Sequence, residues 1–374
     1  MENIKVSVVM PVYNVQSCLD ECLDTLERQT LKEIEIICVD DGSTDLSLEI
    51  LREHSGKDPR IKVLTQHNSG AAVARNRGFE EVQGEYVIFL DSDDFYKEHM
   101  LKTAYDNAKK QNTDITVFRT NEYDTVKELY NPMEYTIKAE QLPLNNPFTY
   151  HDIPDNIFTV FVGWAWDKLY KTEFIRRENI KFQNLRTSND LFFVFSSLIK
   201  ADGIYVIDEP LVYHRVSRGT SLSVTREKSW DCFYKALTAL KEELERIGAY
   251  EEVERGFLNW VLHFGFWNLD SITGPAFKNV YRLLKEECYI SLGMDKKPRE
   301  YYHNEEDYDR MMEVLATDYD EYVFNYMIKY RAQAKELKEV KSELHYMKTS
   351  TTFKVGRLIM GVPIKIKKII KKER

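Results

Sequence analysis

Short apolar runs alternate with longer amphipathic stretches along the first hundred residues of the chain. The runs are rich in β-branched and aromatic residues, a composition typical of buried strands. They predict strands at residues 6–10, 35–39, 61–65 and 86–90. Helices are predicted between them, at residues 16–29, 46–54 and 71–83. Strands that alternate with helices of this length predict an α/β protein with a mostly parallel, doubly wound sheet.

The pattern changes along the rest of the chain. Further strands are predicted at residues 115–118, 204–208 and 211–214, and an apolar helix at 191–200. Residues 121–150 have little pattern and are expected to form a loop over a cleft. From Ser229 onward the apolar period is helical, with a long helix at 318–348. We therefore expect a catalytic region at 1–225, a helical region at 226–317, and a long helix with a basic tail at 318–374.

Polar residues follow each of the four early strands. Because the carboxyl ends of parallel strands meet at one edge of a sheet, these residues are expected to surround a single crevice. They are Tyr13, Asp40, Asp41, Asn68, Asp91 and Asp93.

A nucleotide diphosphate would suit such a crevice. Asp40 or Asp41 can accept a hydrogen bond from a base or a ribose, and Arg75 can reach a phosphate. Pro11 and Tyr13 can flank a planar ring. The sequence contains neither a P-loop motif nor G-x-G-x-x-G, so ATPase and dinucleotide dehydrogenase functions lose their main support.

The acidic segment after the fourth strand has two interpretations. Carboxylates at this edge suit a divalent metal that is itself bound to a diphosphate. Alternatively, Ser92, Asp93 or Asp94 could be the N-cap of a following helix.

Several motifs in the same order resemble those of family-2 glycosyltransferases. They are VVMPVYN at 8–14, VDDGSTD at 39–45, NSG at 68–70 with ARN at 74–76, and FLDSDD at 89–94. The resemblance covers roughly the first hundred residues. It implies a GT-A fold, a nucleotide-sugar donor, Mn²⁺ or Mg²⁺ at the D-x-D segment, and inversion at the anomeric carbon.

The resemblance also assigns roles to individual residues. It implies that Asp40 and Asp41 face uracil and ribose, that Asp91 binds ribose or metal, and that Asp93 is the principal metal ligand. The nucleotide-sugar site is expected to contain Pro11, Tyr13, Asn14, Asp40, Asp41, Asn68, Gly70, Arg75, Asp91, Ser92, Arg215 and Ser221.

Acceptor residues are expected in the segment at 162–170. Trp164 and Trp166 could stack on a sugar, or could pack a lid onto the sheet. The family pattern of a tryptophan followed by lysine, leucine and tyrosine fits this segment, which implies that Lys168 lies beside the acceptor.

The family commonly carries its general base in a Glu-Asp pair, and this chain has Asn189-Asp190 there. We expect Asp190 to be the base and Asn189 to lie at the acceptor side. The alternative for both is a helix N-cap. The missing acidic neighbour would leave the pKa of Asp190 less raised.

A cationic loop follows the last predicted strand. Arg215, Arg218 or Ser221 could contact the diphosphate as the loop folds over the donor. His214 at the strand end could be a third metal ligand, or could be structural.

Composition limits the binding partners and the cellular compartment that the protein can have. A net charge of −9 gives no general attraction for nucleic acid. The five cysteines are scattered, which favours a reducing cytoplasm, and no run of about 20 apolar residues could span a bilayer.

The tail at 353–374 interleaves lysines with isoleucines, which favours binding to an anionic membrane surface over binding to nucleic acid. The apolar spacing of three and four at 318–348 allows self-association.

Together with the family resemblance, these features predict a cytoplasmic, membrane-associated inverting glycosyltransferase. A UDP-sugar would be its donor, and a cell-surface glycan, a teichoic acid or a lipid-linked molecule its acceptor. One alternative is a sugar-1-phosphate nucleotidyltransferase, although residues 6–14 lack the phosphate loop that it needs. Another is an inactive membrane-attached scaffold, although the carboxylates of Asp41, Asp91, Asp93 and Asp190 are retained.

Overall fold

The structure, a computed structural model, describes residues 4–216 and 222–350. Its strands are β1 Val6–Val12, β2 Ile34–Asp40, β3 Ile61–Thr65, β4 Tyr86–Phe89, β5 Phe95–Tyr96, β6 Ile115–Asp124, β7 Leu129–Pro132, β8 Lys168–Lys171 and β9 Ile204–Val216. Its α-helices are α1 Leu19–Glu27, α2 Ser47–Lys57, α3 Ala71–Glu80, α4 Met100–Gln111, α5 Thr172–Glu178, α6 Leu191–Lys200, α7 Cys232–Arg246, α8 Tyr250–Ser271, α9 Ala276–Leu283, α10 Tyr289–Ser291, α11 Glu305–Ala316 and α12 Tyr319–Thr349. A π-helical turn, Leu284–Cys288, connects α9 to α10.

The described strands form one sheet in the order β3-β2-β1-β4-β8-β6-β9-β5, with β7 paired to β6. β1 pairs in parallel with β2 and β4, and β2 pairs in parallel with β3. β6 and β9 are also parallel, whereas β8 runs antiparallel to β4 and β6. The expected α/β class, with a mostly parallel sheet and a helical C-terminal region, is confirmed.

Helices cover both faces of the central strands, which explains why β1, β2 and β4 are apolar along nearly their whole length. Val8 and Met10 belong to the same core cluster as Leu23 of α1. Gly78 of α3 lies against Val9, where a Cβ atom would come 2.5 Å from Val9 Cγ1. Because only a glycine permits this close approach, α3 packs tightly against β1 and β2.

The two strands predicted at 204–208 and 211–214 are a single strand, β9. Its register with β6 shifts around Arg119, which lies opposite Pro210. A proline cannot donate a backbone hydrogen bond, and the bulge at this point allows the strand to continue past it.

The prediction of a loop at 121–150 was wrong in its first part. β6 continues to Asp124 and forms an antiparallel pair with β7. Tyr123 and Tyr130 lie directly opposite each other, with ring centroids 4.9 Å apart, and Phe95 packs edge-on against Tyr123. Aromatic cross-strand pairs of this kind stabilise a hairpin. Short 3-10 turns follow at Glu134–Thr136, Ala139–Gln141 and Tyr150–Asp152.

The chain divides into two compact units, Met1–Met311 and Met312–Arg374. The first contains the sheet and the helices that pack on it. The second contains α12, whose first turn is capped by Asp318, because Asp318 Oδ1 accepts a hydrogen bond from Glu321 N at 2.9 Å. No described helix is long and apolar enough to cross a membrane. All five cysteines are buried, and none is in a disulfide.

Candidate active site

Three aspartates lie together where β4 ends. Carboxylate oxygens of Asp91, Asp93 and Asp94 all lie within 4.8 Å of one another. The N-cap interpretation of this segment was wrong, because the strand β5 follows it rather than a helix. A compact set of hard oxygen ligands fits Mg²⁺ or Mn²⁺.

Asp94 is the member of this cluster that sequence reasoning left out of the metal site. Its side chain is buried, and its carboxylate accepts hydrogen bonds from Arg215 N at 2.8 Å and from His214 Nδ1 at 3.1 Å. The D-x-D-D sequence was an available signal, because Asp94 follows Asp93 directly. Asp94 therefore connects the aspartate cluster to β9.

His214 stacks on Trp166, with ring centroids 5.3 Å apart. Burial lowers the pKa of the imidazole, but the charge of Asp94 outweighs that effect and raises the pKa above its usual value. His214 is not among the clustered ligand atoms at this site, and it joins the three aspartates through Asp94. Its role as a metal ligand stays a prediction.

Arg75 is buried and bridges two parts of the site. Its Nη2 donates to Asp91 Oδ1 at 2.6 Å, and its Nη1 donates to Asn189 Oδ1 at 3.0 Å. The guanidinium also lies over the Phe182 ring, at 5.3 Å from the centroid. The expectation that Arg75 reaches out to a phosphate is not supported, because its Nη atoms are committed to these internal contacts.

Arg215 is likewise held inside the protein. Its Nε donates to Asp93 O at 2.8 Å, and its Nη2 donates to Glu21 Oε2 at 2.6 Å. Phe95 lies beneath the guanidinium, 4.7 Å from ring centroid to Cζ. This arrangement orients the aspartate segment, so Arg215 differs from the expected mobile phosphate contact. Arg218 and Ser221, expected in the same loop, lie outside the described residues.

The other residues predicted for the donor site lie at or just beyond the ends of β1, β2, β3 and β4. Tyr13 is half-exposed, and its predicted place beside a base stays a prediction. Asn14 has a positive φ of 52°, and its Oδ1 accepts a hydrogen bond from Thr44 N at 2.8 Å. That bond joins the ends of β1 and β2. Asparagine adopts this left-handed conformation more readily than most residues, as Asn112 and Asn179 also do at helix ends.

Asp40 and Asp41 are both buried. The Asp41 carboxylate accepts hydrogen bonds from Ser69 N and Gly70 N, each at 2.8 Å, so it orders the loop that carries Asn68. Its predicted contact with uracil stays a prediction. Ser92 is buried as well. Asn68 is exposed, and Pro11 is partly buried.

Asp190 is the residue immediately before α6. Its side chain makes no capping hydrogen bond, so the N-cap alternative is not supported for it. Burial raises its pKa to about 6, although Arg75 lowers it in part. Ser188, two residues earlier, has a positive φ of 56°. The raised pKa therefore comes from burial and does not need the acidic neighbour that this chain lacks.

Asn189 and Lys168 are not on a sugar-facing surface. Asn189 is buried and donates to Leu185 O at 3.3 Å while it accepts from Arg75. Lys168 is fully buried, and its Nζ donates to Trp164 O at 2.8 Å and to Asp167 Oδ1 at 2.6 Å. Both side chains hold neighbouring backbone in place, so the expected acceptor contacts are not supported.

Trp164 and Trp166 stack on each other, with centroids 4.7 Å apart. Trp166 is buried, which agrees with the packing alternative, whereas Trp164 is partly exposed. Tyr135 is exposed and meets Trp164 edge-on at 6.4 Å. Sequence reasoning missed Tyr135 because it lies in the segment expected to be a loop.

The chain is similar in sequence to known glycosyltransferases. The family model described as Glycosyl transferase family 2 matches residues 7–168. "Uncharacterized glycosyltransferase EpsJ" of Bacillus subtilis is 31% identical over 60% of this chain and 65% of its own length. "Cholesterol galactosyltransferase" of Borreliella burgdorferi is 30% identical over 76% of this chain and 81% of its own length.

Solved structures share the fold. The crystal structure of S. aureus TarS 1–349 in complex with UDP-GlcNAc superposes with a TM-score of 0.59 at 21% sequence identity. The match covers 83% of this chain and 90% of that chain.

Proposed function

The chain belongs to glycosyl transferase family 2 and is a glycosyltransferase, and on that premise we propose that it is a metal-dependent, inverting enzyme with a UDP-sugar donor. One observation carries this proposal. The aspartate cluster and the high-pKa carboxyl of Asp190 are separate groups, and Arg75 connects Asp91 to the residue before Asp190. Two carboxylate sites with different environments suit two different tasks, the binding of a metal and the transfer of a proton.

Asp190 is the proposed general base. An inverting transfer needs a carboxylate that takes the proton from the acceptor hydroxyl as its oxygen attacks the anomeric carbon. The bond to the donor diphosphate breaks on the opposite side, and UDP leaves with the electron pair. A carboxyl with a pKa of about 6 is ionised at neutral pH and is a stronger base than an ordinary aspartate.

Asp91, Asp93 and Asp94 are the proposed metal ligands. A divalent cation held there would supply positive charge to the leaving diphosphate. Arg215 holds the backbone of Asp93, and Arg75 holds the side chain of Asp91, so the two ligands are oriented before a donor binds. Such preorganisation lowers the cost of assembling a charged site.

The donor is proposed to be a UDP-hexose or a UDP-N-acetylhexosamine. The TarS structure contains UDP-GlcNAc, which supports a UDP-sugar at the common fold. The acceptor is proposed to be a hydroxyl of a cell-surface glycan, a teichoic acid or a lipid-linked molecule. The name of the Borreliella relative includes a lipid, cholesterol, which supports a lipid acceptor in this family.

Release of UDP from a panel of UDP-sugars tests the proposal. The assay is run with Mn²⁺, with Mg²⁺ and with EDTA, on the wild type, Asp190→Asn and Asp93→Asn. We expect turnover that needs a cation and falls at least about a hundredfold in both variants. The productive donor identifies the sugar.

Measuring the binding of UDP distinguishes the loss of the general base from the loss of the metal site. Asp190→Asn should still bind UDP in the presence of Mn²⁺, and Asp93→Asn should bind it more weakly. Full activity of Asp190→Asn would refute the base assignment, and activity unchanged by EDTA would refute the metal requirement. An absence of both turnover and UDP binding would refute the donor class.

We also propose that the tail at 353–374 attaches the enzyme to the inner face of the cell membrane; this tail lies outside the described residues. Its alternating lysines and isoleucines support this proposal. In a flotation assay, vesicles of phosphatidylglycerol should bind the full chain and should not bind a chain that ends at Ser350. Equal binding to neutral phosphatidylcholine vesicles would contradict the proposed attraction between the lysines and anionic lipids.

A further inference from the structure

The last part of α12 carries an apolar seam. Over residues 330–347 the seam positions follow spacings of three and four in strict alternation, as in a heptad repeat. They are Tyr330, Gln333, Leu337, Val340, Leu344 and Met347. The repeat places Tyr330, Leu337 and Leu344 at a positions and the other three at d positions. Gln333 is the single polar residue in the seam.

The seam faces solvent in the described part of the chain. Every residue from 331 to 349 is exposed, including Leu337 at 54%, Leu344 at 46% and Met347 at 58%. A helix gains most of its stability in water by burying an apolar face, and a helix that is exposed all round has no such gain. No residue in the described ranges 4–216 and 222–350 covers the seam.

The charges beside the seam indicate what that partner is. Glu336 and Glu343 precede the two leucines at g positions, and Lys341 and Lys348 follow Val340 and Met347 at e positions. None of these four charged side chains has an ion-pair partner among the described residues. They are therefore available to a second helix.

In a parallel pair of identical helices, each g position lies beside the e position five residues later on the partner. Glu336 would meet Lys341, and Glu343 would meet Lys348, in both directions across the pair. In an antiparallel pair, g positions face g positions and e positions face e positions. Glutamate would then oppose glutamate, and lysine would oppose lysine.

We propose that α12 binds α12 of a second copy of this chain as a parallel, in-register coiled coil along residues 330–347. The leucines, Val340 and Met347 supply the apolar contact, and the flanking charges select parallel self-pairing. Gln333 meets Gln333 of the partner subunit, and a polar seam residue of this kind fixes the register.

Sedimentation velocity of the full chain tests the association. We expect the wild type to sediment as a multiple of the 44.2 kDa chain at micromolar concentration and Leu344→Glu to sediment as a single chain. Ser342→Glu adds the same charge on the opposite face of the same turn and should leave the association intact. A monomeric wild type, or a Leu344→Glu variant that still associates, would overturn the proposal.

A charge exchange tests the orientation. Glu336→Lys with Glu343→Lys places lysine opposite lysine at both g–e contacts and should raise the dissociation constant about tenfold or more. Adding Lys341→Glu and Lys348→Glu restores opposite charges across a parallel pair and should restore the association. An antiparallel pair predicts like charges in all three proteins, so equal dissociation constants would refute the parallel arrangement. Circular dichroism checks that each variant keeps its helix content.

Discussion

Arg75 and Asp91 form an ion pair at the carboxyl edge of the sheet, with Nη2 and Oδ1 2.6 Å apart. Arg75 also donates to Asn189, the residue before Asp190. One guanidinium therefore connects the aspartate cluster to the proposed base, and its positive charge partly offsets the effect of burial on the pKa of Asp190.

Arg75→Lys should lower kcat about tenfold or more while the fold is retained. An ammonium is a point charge and cannot bond Asp91 and Asn189 in the same planar geometry. The acidic limb of the pH profile should stay in place, because the positive charge near Asp190 remains. Initial rates across pH 5–9 measure both effects, and Arg52→Lys, on the exposed side of α2, is the control.

Arg75→Ala should lower kcat further and also move the acidic limb to higher pH. Without the positive charge, the Asp190 carboxylate is less stabilised, so its pKa rises. A limb at the same pH in Arg75→Ala and the wild type would show that Arg75 does not act on Asp190.

The activity of the wild type should depend on the ionisation of Asp190. Since the pKa of this carboxyl is about 6, kcat/KM should be constant above roughly pH 7 and fall tenfold per pH unit below pH 6. Asp190→Asn should lose about 10²–10⁴ in kcat. Asp202→Asn, at an exposed aspartate beyond α6, should change neither value. A profile that is flat down to pH 5 would contradict the assignment of the base.

The sequence predicted the parts of this protein that local pattern determines. The strands β1 to β4 and the helix α6 were predicted because their apolar periods are clear, and strand ends place Asp91 and Asp41 at one edge. It did not predict what the buried cations contact. Arg75 meets Asn189 and Arg215 meets Glu21 across more than a hundred residues of sequence, and a motif contains no information about such contacts.

Lys168→Met should destabilise the protein by about 3–5 kcal/mol, because it leaves the Asp167 carboxylate buried without its partner. Asp167→Asn combined with Lys168→Met should recover part of the loss, since no charge then remains buried. Urea unfolding of the three proteins gives the free energies. Lys181→Met, at an exposed lysine, should be close to neutral. A loss below 1 kcal/mol in Lys168→Met would mean that the ion pair contributes little.

The stability of the contact between α1 and α2 should depend on the protonation of His54. The side chain is buried, with Nδ1 2.6 Å from Glu27 Oε1 and Nε2 3.1 Å from Asp20 Oδ1. Burial lowers its pKa, but the hydrogen bonds to the two carboxylates outweigh burial and raise the pKa above 6.5. The folded protein therefore binds this proton more tightly than the unfolded chain does.

That stabilisation is fully present below the unfolded pKa and is lost as pH rises through the raised folded pKa. His54→Gln, which cannot carry the charge, should accordingly lower the free energy of unfolding by roughly 1–2 kcal/mol more at pH 6 than at pH 9. Urea unfolding at the two pH values measures the difference, and His345→Gln on exposed α12 should show none. A larger loss at pH 9 than at pH 6 would mean that neutral His54 is the stabilising form, which would contradict its pairing with Glu27 and Asp20.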